Sequence, residues 1–204
     1  MKYDQVAQTS QTSERIATYL SDIQGALGKI PIEEIERVVS LLHEARAQRK
    51  RVFLFGNGGS AATASHLACD LGKGTNKHGK PRLRVVALTD NVALISAWAN
   101  DSSYDDIFAQ QLQDQVVHGD IAIGISGSGK SPNVLNGVKV ARSAGAITIG
   151  LTGFDGGDLK GLVDHCIKGP GEAPLLKLLG IDNPTEDLPP DYMGLPGSDY
   201  LAPG

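Results

Sequence analysis

His66 and Asp70 stand four residues apart in Ser60–Leu71, SAATASHLACDL. That spacing puts an imidazole and a carboxylate on one face of a helix. Such a pair can be a surface ion pair, two ligands of a divalent metal, or a proton-transferring base with the group that orients it. Spacing alone favours the ion pair. Position favours the other two, because the helix follows Gly56–Ser60, GNGGS. Small residues there let a backbone approach a ligand, and the N–H groups that open a helix attract negative charge. The same residues could also be no more than a tight β-to-α turn. In the binding account Ser60 caps the helix and turns its hydroxyl to a ligand oxygen.

A second junction changes that balance. Ser126-Gly127-Ser128-Gly129-Lys130-Ser131 offers three hydroxyls and a run of flexible N–H donors, with Gly127 in its midst. Pro132 suits the first helical position, which makes Ser131 the expected N-cap. Serines often serve only their own loop, yet a helix start with this many hydroxyls suits a phosphate monoester. Two such junctions in one small domain point to a phosphorylated ligand. Asn100 and Asp101 close Ile95–Asp101, ISAWAND. Asp101 can cap a helix beginning near Ser103, or the pair can read the hydroxyls of a polyol. Trp98 reads as core. Gly124–Ser131, GISGSGKS, also satisfies the nucleoside-triphosphate P-loop string G-x-x-x-x-G-K-[ST]. The context opposes that reading: Gly124 lies inside an apolar strand run, and Gly161–Asp164, GLVD, is a poor substitute for the strand that would end in a magnesium-binding Asp.

These residues need elements to hold them. Ile16, Tyr19, Leu20, Ile23 and Leu27, then Ile32, Ile35, Val38, Val39, Leu42 and Ala45, recur at helical spacing on either side of Gly28 and Pro31. Strands are expected at Arg51–Phe55, Leu83–Leu88, Asp120–Ile125, Ala146–Leu151 and His165–Lys168. Helices are expected between them, at Ala61–Gly72, Asn91–Trp98, Tyr104–Val117, Pro132–Ala144 and Gly157–Leu162. The alternation predicts a parallel sheet covered on both faces, with ligands outside the carboxyl ends of its strands. Both Gly/Ser loops fall there.

The chain of 204 residues is expected to form one domain over residues 1–168, followed by a Pro/Gly-rich tail over 169–204 that holds most of the prolines. Leu175–Leu179 could form a helical turn within the tail. A net charge of −4 and the absence of a basic run argue against nucleic acid as a partner. The most basic stretch, His43–Arg51, reads as the solvated end of a helix. Cys69 and Cys166 lack metal-type spacing and read as packing residues in a reducing compartment. With no hydrophobic signal core and no run long enough to span a bilayer, the expected location is cytoplasmic, away from membranes.

Four motifs in order, FGNGGSAATASHLACDL, ALTDNVALISAWANDSSYDDIFAQQL, GISGSGKSPNVLNGVKVARSAG and IGLTGFDGGDL, make the chain resemble the sugar isomerase (SIS) domain family. Within that family it is most similar to the phosphoheptose isomerases, which interconvert sedoheptulose 7-phosphate and a heptose 7-phosphate. It also resembles their paralogue that associates with the replication initiator DnaA. The likeness runs to about Ile167. It implies a three-layer α/β/α fold of flavodoxin type with a five-stranded parallel sheet, and a homotetramer built partly through the N-terminal helices. The family's sugar-phosphate contacts fall on Asn57, Gly58, Gly59, Asn100, Asp101, Ser126, Ser128 and Ser131. Its metal-binding His and proton-moving Glu fall on His66 and Asp70, where Asp is one methylene shorter. The resemblance further implies zinc. The family's C-terminal helix, with a Gln and a His that complete the metal site, has no counterpart: no histidine follows His165 and no glutamine follows Gln115.

The leading expectation is therefore an aldose–ketose isomerase acting through an enediol, with Asp70 as base and His66 as metal ligand or acid–base partner. The rival is a non-catalytic module that binds a phosphosugar or a protein of the initiator-associating kind. The P-loop NTPase is third.

Overall fold

Five short, nearly continuous apolar runs become five parallel strands, as expected for a sheet buried on both faces. The computed structural model describes residues 2–169. In order these form α1 (Lys2–Leu27), α2 (Ile32–Ala47), β1 (Arg51–Gly56), α3 (Gly59–Cys69), β2 (Arg84–Ala87), α4 (Val92–Asp101), α5 (Ile107–Leu112), β3 (Ile121–Ser126), α6 (Pro132–Ser143), β4 (Ile147–Thr152), α7 (Gly157–Leu162) and β5 (His165–Lys168). The strand order is β2-β1-β3-β4-β5, and every neighbouring pair is parallel. Residues Pro31–Lys168 make one unit; α1 belongs to a second. The tail, including its expected turn at Leu175–Leu179, lies outside the described residues.

Alternation along β1 divides the core. Phe53 and Phe55 pack on one face of the sheet with Ile107, Phe108, Leu112, Val134 and Val138. Val52 and Leu54 pack on the other with Val38, Ala45, Ala64, Ile121 and Ile123. The first face is covered by α4 to α7 and the second by α2 and α3, which completes three layers. Trp98 lies against the first cluster as expected. At the amino ends of the strands, buried Asp120 accepts the Arg51 N–H at 2.8 Å and the Val117 N–H at 3.1 Å, tying β3 to β1.

Several expected boundaries move. The helix expected at Tyr104–Val117 is a 3-10 turn, Tyr104–Asp106, followed by α5, which stops at Leu112. The helix expected to reach Gly72 ends its α-helical part at Cys69, and a single π turn, Asp70–Gly74, continues it. There the Thr75 N–H donates to the Asp70 carbonyl at 3.0 Å. Cys69, expected in the packing, is exposed, whereas Cys166 is half-buried. Gly124 sits within β3, where a β-carbon would meet Val134 at 3.0 Å and Val138 at 3.1 Å. It packs the sheet against α6 and does not open a nucleotide loop. No described helix is long and apolar enough to cross a membrane.

Candidate functional site

The sheet order places a topological switch point between β1 and β3, the position where open α/β sheets bind ligands beyond their carboxyl ends. The loop after β1 holds Asn57 and Gly58, and α3 opens at Gly59. The loop after β3 runs from Ser126 to Ser131, and α6 opens at Pro132. The two Gly/Ser loops therefore flank one crevice.

The first loop is built for close approach. Gly58 takes φ of 53°, a region that costs other residues strain. A β-carbon at Gly58, Gly59 or Gly127 would meet nothing within 4 Å, so the ground above all three is open. Gly58, not Ser60, is the N-cap of α3, and no side chain caps this end. Ser60 is the second residue of the helix, half-buried, its N–H donating to the Asn57 carbonyl at 2.9 Å. The expectation that Ser60 caps the helix is thus corrected: a cap must leave helical geometry, and here only glycine makes that turn.

The serine loop holds its own shape. The Ser126 and Ser131 hydroxyls lie 3.1 Å apart, and the Ser126 hydroxyl also accepts the Gly129 N–H at 3.1 Å. The Ser128 hydroxyl accepts the Lys130 N–H at 3.2 Å. Ser131 occupies the N-cap position of α6 but spends its hydroxyl on Ser126 and caps nothing. The N–H groups of the first turn of α6 that follow Pro132 therefore have no side-chain cap from Ser131. Beneath it lies the loop after β4: the Gly153 N–H donates to the Gly127 carbonyl at 2.9 Å, and the Leu159 N–H to the Gly129 carbonyl at 2.9 Å. In that loop the Gly157 N–H holds the Asp155 carboxyl below its usual range, with Lys130 and Lys168 adding to the effect.

Asn100 and Asp101 end α4. A 3-10 turn does begin near Ser103 as expected, but Ser103 caps it, accepting the Asp105 N–H at 3.1 Å, and Asp101 is the last residue of α4 and not its cap. The Asn100 amide donates to Asp101 at 2.8 Å and both side chains are exposed. The segment joins the first loop through Tyr104, whose hydroxyl donates to Asn57 Oδ1 at 3.2 Å. Across the crevice, the Asn57 and Asn133 amides exchange hydrogen bonds of 2.8 and 2.9 Å. Tyr104 and Asn133 are residues that sequence reasoning missed. Asn133 left one signal: it precedes Gly137 and Ala141 on the buried stripe of α6, where a polar residue needs a partner.

His66 and Asp70 are paired at 3.2 Å, with 78% and 64% of their side chains exposed. They share a helical face with Gly59, and His66 lies about 10 Å farther along the axis at 1.5 Å per residue. Zinc takes four donors in a closed site. This pair supplies two, and no group of three or more His, Cys, Asp or Glu converges among the described residues. The described residues do not fit a zinc ion as a complete site. An open groove of about 530 Å³ lies elsewhere, lined by Glu33, Glu36, Arg37, Ser40, Leu41 and His165. None of the candidate residues lines it.

Residues 18–153 match the family model described as SIS domain. A probable phosphoheptose isomerase of Thermoplasma acidophilum is 40% identical over 149 residues, 73% of this chain and 81% of that protein. A phosphoheptose isomerase of Paramagnetospirillum magneticum is 42% identical over 132 residues, 65% of this chain and 68% of its own length. The structure of phosphoheptose isomerase GmhA from Neisseria gonorrhoeae superposes with a TM-score of 0.72 at 28% identity, covering 85% of this chain and 96% of that one.

Proposed function

The chain belongs to the SIS domain family, and we propose that it is an aldose–ketose isomerase of the sedoheptulose 7-phosphate type. The observation that carries this reading is the pair of hydroxyl- and glycine-lined helix starts flanking one switch point, on a chain 40% identical to a probable phosphoheptose isomerase. The phosphate is anchored by Ser126, Ser128, Ser131 and the N–H groups that open α6. The sugar chain runs over Asn57, Gly58, Gly59 and Ser60, and Asn100 and Asp101 read its hydroxyls. Anchoring at the phosphate end orients the reacting carbons at the other end.

Asp70 is the base: its carboxylate takes the proton from the carbon beside the carbonyl, the freed electron pair forms the carbon–carbon double bond, and the carbonyl π pair moves to its oxygen, which takes up a proton to give the enediol. Returning a proton to the neighbouring carbon completes the isomerisation. His66, 3.2 Å from Asp70, orients the carboxylate and exchanges the proton with the substrate oxygen. Zinc remains a proposal in which His66 and Asp70 are two donors.

We further propose an oligomer, a tetramer by family resemblance, assembled through α1 and α2 of a domain spanning residues 1–168. Ile16, Leu20 and Leu27 on α1, and Ile32, Ile35 and Val39 on α2, are exposed apolar side chains that support it. Two free cysteines accord with a cytoplasmic setting.

A second reading, a non-catalytic phosphosugar-binding module, draws on the exposure of His66 and Asp70. Incubation of the purified chain with sedoheptulose 7-phosphate, followed by NMR, separates them. Appearance of an aldose heptose 7-phosphate supports the isomerase; binding without conversion supports the module.

A further inference from the structure

We propose that Asn133 and Tyr104 are positioning residues that clamp the Asn57 amide across the switch point, so that it presents its one remaining N–H to an acceptor oxygen of the sugar phosphate. The inference rests on the phosphosugar reading and adds two residues to it.

An asparagine side chain has two N–H donors and a carbonyl oxygen with two lone pairs. Asn57 Nδ2 donates to Asn133 Oδ1 at 2.8 Å. Asn57 Oδ1 accepts from Asn133 Nδ2 at 2.9 Å and from the Tyr104 hydroxyl at 3.2 Å. Both lone pairs and one donor are therefore taken. The second Nδ2 hydrogen has no acceptor among the described residues. It belongs to the residue between Gly56 and the open ground over Gly58 and Gly59. A sugar phosphate is rich in acceptor oxygens, so an amide locked in this orientation matches it.

The three partners come from three segments. Asn57 follows β1, Asn133 is the second residue of α6 after β3, and Tyr104 lies three residues beyond Asp101. One amide thus ties the cradle, the phosphate loop and the hydroxyl-reading segment together. The two clamps differ in kind. Asn133 is 1% exposed, so its bonds also serve the fold. Tyr104 is 48% exposed, and an exposed hydroxyl does little for folding. Its bond to Asn57 is therefore the cleaner one to test.

The test is a double-mutant cycle on the full chain. Calorimetry gives the Kd for sedoheptulose 7-phosphate, and thermal melting is followed in parallel. Tyr104→Phe should raise Kd about 3- to 10-fold while leaving the melting temperature unchanged, and Asn133→Ala should raise Kd about 10-fold or more with a lower melting temperature. If both act through Asn57, neither change should move Kd more than about 2-fold in an Asn57→Ala background. An unchanged Kd in Tyr104→Phe, or effects that multiply undiminished in the Asn57→Ala background, would overturn the clamp. A wild-type chain that binds no sugar phosphate would overturn the functional reading and the clamp with it, and that outcome is read from the wild type alone.

Discussion

Asp70 and Ser131 separate chemistry from binding. Asp70→Asn removes the base and leaves the serine loop intact, so turnover should vanish while calorimetry still finds sugar-phosphate binding. Asp70→Glu restores a methylene and should raise turnover if reach limits the proton transfer. A fully active Asp70→Asn would move the base to another residue. Ser131→Ala should weaken sugar-phosphate binding by about 1–3 kcal/mol, the scale of a lost charge-assisted hydrogen bond, and unchanged affinity would remove the serine loop from the site. Ser131 was legible as a candidate because small and hydroxylic residues cluster beyond β3, and Asp70 because it stands one helical turn after His66. Tyr104 and Asn133 were not, since their bonds join residues 47 and 76 positions apart in the chain. No local pattern carries that information.

The strands β1 and β3 were legible because each is a nearly unbroken apolar run, buried on both faces. Helix ends were less so. The start of α3 depends on the positive φ of Gly58, and the segment after Leu112 turns away where Asp114 takes φ of 63°; both are backbone choices that apolar spacing does not record. Gly129 also has φ of 69°, and a β-carbon there would collide with the Gly156 carbonyl. Gly129→Ala should therefore cost about 1–3 kcal/mol of stability, the scale of such backbone strain, and weaken sugar-phosphate binding as the two loops part; denaturant unfolding and calorimetry check both. The junction of β4 and β5 gives a pH test. Burial opposes the charge of Asp164, but the Thr148 N–H and hydroxyl, at 2.8 and 2.7 Å, outweigh it and hold the carboxyl below its usual range. A carboxyl lowered in the folded state stabilises the fold above the unfolded value of about 4, and that contribution is lost as pH falls through the folded one. Asp164→Asn should lower the melting temperature at pH 7, and the deficit should shrink as the pH drops below about 4. A deficit independent of pH would assign the loss to packing.

The proposed assembly of the molecule makes its own prediction. Ile32 is 70% exposed and Val39 45%, apolar side chains that an interface with a second copy of the chain would cover. Light scattering at micromolar concentration should give the mass of an oligomer, four chains by family resemblance, and Ile32→Asp with Val39→Asp should reduce it. A wild-type monomer would remove the assembly proposal. The chemistry itself is tested most directly by isomerisation of sedoheptulose 7-phosphate in D2O, with the product read by NMR. Proton removal through an enediol predicts an aldose heptose 7-phosphate carrying deuterium at the carbon beside the carbonyl, and neither product nor deuterium with Asp70→Asn. Sugar phosphate that binds the wild-type chain but returns unconverted and free of deuterium would contradict the isomerase and leave a binding module.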